Sequence, residues 1–162
     1  MLTVAQLQAL KTEINADPAL SSKPLTPDGA FDIAVELNKT AVPDFIVWRG
    51  VMSVLDIEQN GFAWNQLDSV PAAKYRIWER LTASGMINPS KLNVRQGIND
   101  FCKDATNATI VALRDSILPY LKRLATRAEK VLATGAGTTA TPATMGFEGQ
   151  LSYIDVQNAR AS

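Results

Sequence analysis

Leu121-Lys122-Arg123-Leu124-Ala125-Thr126-Arg127-Ala128-Glu129-Lys130-Val131-Leu132 reads as a charged amphipathic helix that stops before Gly135. A run of small residues follows, Gly135 to Thr144. Then comes a fresh apolar piece, Met145-Gly146-Phe147-Glu148-Gly149-Gln150-Leu151-Ser152-Tyr153-Ile154-Asp155-Val156. The reading of that tail decides the fold. A piece of about eighteen residues is too short to bury its own apolar side. It docks either on the body of its own chain or on another molecule. The second option predicts an assembly protein, with residues 1–134 as a helical bundle and 135–162 as a flexible linker and C-terminal docking arm.

Within the quoted helix, Arg123, Arg127 and Lys130 fall within about 60° of one another at 100° per residue. Leu121, Leu124, Ala128, Val131 and Leu132 take the opposite side. Such a basic face is either solvated or set against acidic groups of a partner or duplex phosphates. The helix extends back to about Asn107, with Pro119 imposing a kink near Asp115 or a break into two. In the tail, Ala143 to Gly149 suits an extended arm or one edge strand. Ser152 to Asp155 forms a capping-box pattern that opens a short terminal helix ending near Arg160.

Upstream, Thr3 to Gln6 is another capping box, followed by Val4, Leu7, Leu10 and Ile14 on one face. Asp28 caps a helix with Phe31, Ile33, Ala34, Val35 and Leu37 on its apolar side. Pro43 starts a third, carrying Phe45, Ile46, Val47 and Trp48. Further helices follow Pro71, with Tyr75, Ile77, Trp78 and Leu81, and Pro89, with Leu92, Val94, Ile98 and Phe101. The fold class is therefore all-α: a bundle of about five to seven helices with an extended C-terminal arm.

Composition narrows the function. The 162 residues, 46% hydrophobic, suit one domain with a sizeable core, and no apolar run reaches the ~18 residues of a membrane span. No basic stretch followed by an apolar one marks a secretory leader, which predicts synthesis in the cytoplasm. One cysteine, Cys102, allows no internal disulfide and reads as a buried small apolar residue. There is no histidine, so Ser-His and Cys-His nucleophile arrangements and histidine metal sites are closed, and the expectation is a non-enzyme without cofactor or metal.

Residues 1–70 carry four Lys/Arg and nine Asp/Glu, and residues 71–162 carry twelve and seven. Copies could thus meet head to tail, unless the charges scatter over one surface. Zero net charge argues against nonspecific nucleic-acid binding as the main role.

Three features that imitate sites have plainer readings. Gly135-Ala136-Gly137-Thr138-Thr139 lacks the lysine and spacing of a phosphate loop and reads as linker. Asp28/Asp32 and Asp56/Glu58 follow no catalytic or metal-loop pattern. Trp48 and Trp78 read as core, with Trp64 interfacial.

The segments Arg123 to Gly135 and Pro142 to Tyr153 resemble small proteins of tailed phages and prophages. Pro43-Asp44-Phe45-Ile46-Val47-Trp48 and Asn88 to Gly97 share the likeness. In architecture the chain most resembles the helical head-to-tail adaptors. That resemblance implies a homo-oligomeric ring of about twelve copies in the virion neck, assembled in the host cytoplasm. It implies a portal protein above, a tail or nozzle protein below, DNA only as passing cargo, and no membrane. Arg123, Arg127 and Lys130 would line the contact, while Phe147, Leu151, Tyr153 and Ile154 would anchor the arm. Two alternatives remain: another particle component (tail completion or decoration), and a helical DNA-binding or regulatory module.

Overall fold

Thr3 and Gln6 cap each other's backbone, and α1 (Val4–Ala16) starts there in the computed structural model, which describes residues 1–103 and 107–162. The Asp17 carboxylate, accepting from Ala19 N at 2.8 Å, ends that helix and opens α2 (Pro18–Ser21). Thr26 caps α3 (Pro27–Leu37), with Pro27 in the first turn where its missing N–H costs nothing.

The middle of the chain is shorter-stepped: β1 (Ile46–Trp48), β2 (Met52–Ser53), α4 (Leu55–Glu58) and a 3-10 turn over Trp64–Ser69. Next come α5 (Ala72–Thr82), β3 (Met86–Ile87), α6 (Leu92–Phe101) and α7 (Ala108–Ile117). A second 3-10 turn, Leu118–Leu121, leads into β4 (Lys122–Leu124), α8 (Arg127–Leu132), β5 (Ala133–Thr134), β6 (Thr144–Met145) and α9 (Tyr153–Ala161). Among the described residues no helix is long and apolar enough to cross a membrane.

The expected all-α bundle of five to seven helices is not what forms. Among the described residues the fold is mixed, 55% helical and 11% strand, with three small antiparallel sheets. Two errors of period account for most of the difference. The apolar run after Pro43 is a strand, as its β-branched and aromatic residues favour. Ile46 N donates to Gly137 O at 2.7 Å, and Ala143 N donates to Ile46 O at 2.9 Å. The long helix expected over 107–134 breaks into α7, the turn at Pro119, β4, α8 and β5. A cap explains the restart: the Thr126 hydroxyl accepts from Glu129 N at 3.2 Å, and the Glu129 carboxylate accepts from Thr126 N at 2.9 Å. Thr-x-x-Glu is a helix start, and here it begins a new helix inside what looked like an old one.

The chain divides into two compact units. One joins Met1–Val47 to Leu124–Ser162, and the other is the continuous insert Trp48–Arg123. Residues 135–162, expected as linker and arm, lie wholly within the first unit. There α9 lies against α1 and α3. Leu10, Ile14, Ile33, Leu37, Leu132 and Val156 share one core. Gly137 is required where it sits: its φ is +67°, and a Cβ there would fall 2.1 Å from the Phe45 ring.

The second unit packs Ile57, Ile98, Leu113 and Ile117 around an aromatic stack. Trp78 lies between Phe62 and Phe101, with ring centroids 5.3 and 5.2 Å away. Strands β2 and β3 pair Met52 with Ile87 and Ser53 with Met86. Of the three tryptophans Trp78 is buried, Trp64 is exposed, and Trp48 is half-buried rather than core.

Candidate interaction surface

The basic residues expected on one helix face do not share one. Arg123 is part of β4, while Arg127 and Lys130 are in α8. Arg127 is engaged by its own chain. Its guanidinium reaches the Glu13 carboxylate at 2.7 Å and the Asp17 carboxylate at 2.7 Å, tying the first turn of α8 to the end of α1. The hydrogen bond from Arg127, followed by that from Ala19 N, holds the Asp17 carboxyl below its ordinary range. The Lys130 ammonium lies over the Phe45 ring, 5.8 Å from its centroid. An open hollow of about 400 Å³ lies here, lined by Glu13, Glu36, Lys39, Val42 and Lys130 among others. Its mixed charges suit a polar protein surface better than one anion or one cation.

The expected anchors of the arm divide into two sets. Leu151 is buried, and Asn38 clamps its backbone: Leu151 N donates to Asn38 Oδ1 at 2.8 Å, and Asn38 Nδ2 donates to Leu151 O at 2.9 Å. Phe147 is half-buried against the core of the first unit. Tyr153 and Ile154, in the first turn of α9, stand 43% and 51% exposed. Only these last two point an apolar surface outward from the tail.

Sequence reasoning passed over the residue that organises this region. Glu129 is 1% exposed, and besides capping Thr126 its carboxylate accepts from Gly149 N at 3.1 Å. One buried carboxylate thus starts α8 and fixes the chain just before α9. The Thr126-to-Glu129 spacing was the available signal. Also unforeseen, Phe31 and Val35 on α3 are 59% and 43% exposed instead of buried. With Asp32, Lys23, Ala19 and Leu20 they line an open depression of about 550 Å³.

No family model matches this chain, and no curated protein or solved structure does. Among the described residues no group of three or more Cys, Asp or Glu side chains is placed to hold a metal ion. Cys102 is buried, and that burial pushes its thiol up to about 12, so it is a packed side chain rather than a reactive one.

Proposed function

We propose that this chain is a non-enzymatic structural component of a tailed-phage particle, acting in the neck as a head-to-tail adaptor that binds the portal protein. The reading rests on the resemblance of Arg123 to Gly135 and Pro142 to Tyr153 to small proteins of tailed phages and prophages. Those segments supply α8, the paired strands β5 and β6, and the entry to α9, so the likeness falls on residues that build a fold. Arm insertion is replaced by rigid docking. Leu151 and Phe147 hold the tail to its own unit, and Tyr153 and Ile154 remain to meet a partner, with Lys130 as a polar contact.

The test is co-purification of the full chain with portal assemblies, together with its copy number in purified particles. About a dozen copies per particle fits an adaptor, whereas hundreds would make it a decoration protein. Tyr153→Ala/Ile154→Ala should abolish portal binding while leaving the circular dichroism spectrum unchanged. Undiminished binding by that variant would remove α9 from the interface.

A further inference from the structure

Two surface features, one in each unit, have complementary charge. On the first unit, α3 presents Phe31 and Val35 one turn apart, more than two-fifths exposed, between Asp28, Asp32 and Glu36. The helix carries no lysine or arginine. Lys23 pairs with Asp32 at 2.9 Å and Lys39 with Glu36 at 2.6 Å, but both pairs are solvent-exposed and contribute little. Asp28 adds a further exposed carboxylate to the same helix. Phe31, which borders the depression beside Lys23, therefore offers an exposed apolar ring, the knob of the contact, in an acidic setting.

On the second unit, Trp48, Leu92, Ile98, Leu118 and Leu121, with Arg95, Gln96 and Asn99, line a partly open and mainly apolar hollow of about 130 Å³. An apolar cavity of about 150 Å³ takes up one benzene, so this hollow is about the size of one phenyl ring. Two cations border its tryptophan. The Arg95 guanidinium lies 4.9 Å and the Lys122 ammonium 5.4 Å from the Trp48 ring centroid. Arg95 is fixed there by donating to Pro89 O at 2.7 Å and Ser90 O at 2.8 Å. Leu92, at the mouth, is 61% exposed.

The units differ in net charge in the same sense. The first holds six Lys/Arg and nine Asp/Glu, and the second ten and seven, so they carry −3 and +3. We propose that a second copy of this chain is the occupant: Phe31 of one copy enters the Trp48 hollow of the next, with Asp28 and Asp32 facing Arg95 and Lys122. The contact is heterologous, since different patches meet. A copy bound through its knob alone still offers its hollow, and one bound through its hollow alone still offers its knob, so further copies can add head to tail. This contact is independent of the particle role, because it requires only two copies.

Sedimentation velocity of the full chain from about 1 µM to about 1 mM covers the range of a contact this small. Sedimentation should shift upward with concentration, and salt at roughly 0.5 M should weaken the shift by screening. Phe31→Arg and Leu92→Glu each change a side chain more than half exposed, so both variants should keep the wild-type circular dichroism spectrum. Each alone should weaken self-association by about tenfold or more. The decisive sample mixes the two variants. The Phe31 variant retains its hollow and the Leu92 variant retains its knob, so the mixture should form dimers and nothing larger. A wild-type chain that stays monomeric throughout, variants that associate normally, or a mixture that stays monomeric would each overturn the proposal.

Discussion

Deleting everything after Thr134 separates a detachable arm from an integral part of the fold. The deletion removes Leu151, Val156 and Ala159, at 4%, 0% and 0% exposure, from the core formed with α1 and α3. Truncating one buried leucine costs about 2–5 kcal/mol, and burial of a valine contributes about 1.5–3 kcal/mol more. Both Asn38–Leu151 hydrogen bonds also go, along with the Gly149 N–H on buried Glu129 and the two bonds from Arg160 to Pro24 O and Lys23 O. The total loss is on the order of 10 kcal/mol, as large as the whole stability of a typical domain, about 5–15 kcal/mol.

The first unit should therefore unfold in the truncated chain. Amide hydrogen exchange followed by mass spectrometry reads this directly, with α1 and α3 losing protection. Tryptophan emission provides an internal contrast, because Trp48, Trp64 and Trp78 all belong to the second unit. Amides of α1 and α3 as protected in the truncated chain as in the full one would refute the reasoning, and the tail would be an appendage after all.

Glu129→Ala should destabilise the chain by roughly 2–5 kcal/mol in urea unfolding, since it strands Thr126 N and Gly149 N without their acceptor. Asp17 gives a pH signature of definite sign. Its folded pKa lies below the ordinary 3.8, so its contribution is complete above that value and is lost as pH falls through the depressed folded one. Asp17→Asn should flatten the acid limb of the stability profile below about pH 4, and thermal melts at stepped pH measure this. Cys102, with its thiol near 12, should react with a thiol-specific reagent about a thousandfold more slowly in the native chain than in denaturant. Trp78→Ala breaks the stack between Phe62 and Phe101 and should cost about 3–5 kcal/mol, read by thermal unfolding of the second unit.

Local signals in the sequence were reliable where one motif determined one event. The Thr3 and Ser152 boxes start helices at Val4 and Tyr153, and Pro71 and Pro89 precede α5 and α6. What failed needed partners distant along the chain. Ile46-Val47-Trp48 reads equally as helix or strand, and the backbone of Gly137 and Ala143, some ninety residues on, is what pairs with Ile46. Phe31 and Val35 look interior by residue type, yet the face of α3 that meets α9 is the one bearing Ala30, Ile33, Ala34 and Leu37. The anchors suffered likewise. Leu151 reads as an anchor by its apolarity, but Asn38, 113 residues earlier, ties its backbone to its own unit.

That difference changes how any partner must be bound. An arm that orders on binding gives up roughly 1–2 kcal/mol per residue of backbone entropy at that moment, which makes association weak until many contacts form. Here Leu151 and Val156 are buried on folding, so the cost falls on the folding of the chain itself. What remains for the interface is the ordering of a few exposed side chains, Tyr153, Ile154 and Phe31 among them, at about 0.5–1.5 kcal/mol each. On the proposed reading, a partner would meet preformed surfaces. The heat-capacity change on binding should scale with the patch buried and not with the folding of the residues from 135 to 162.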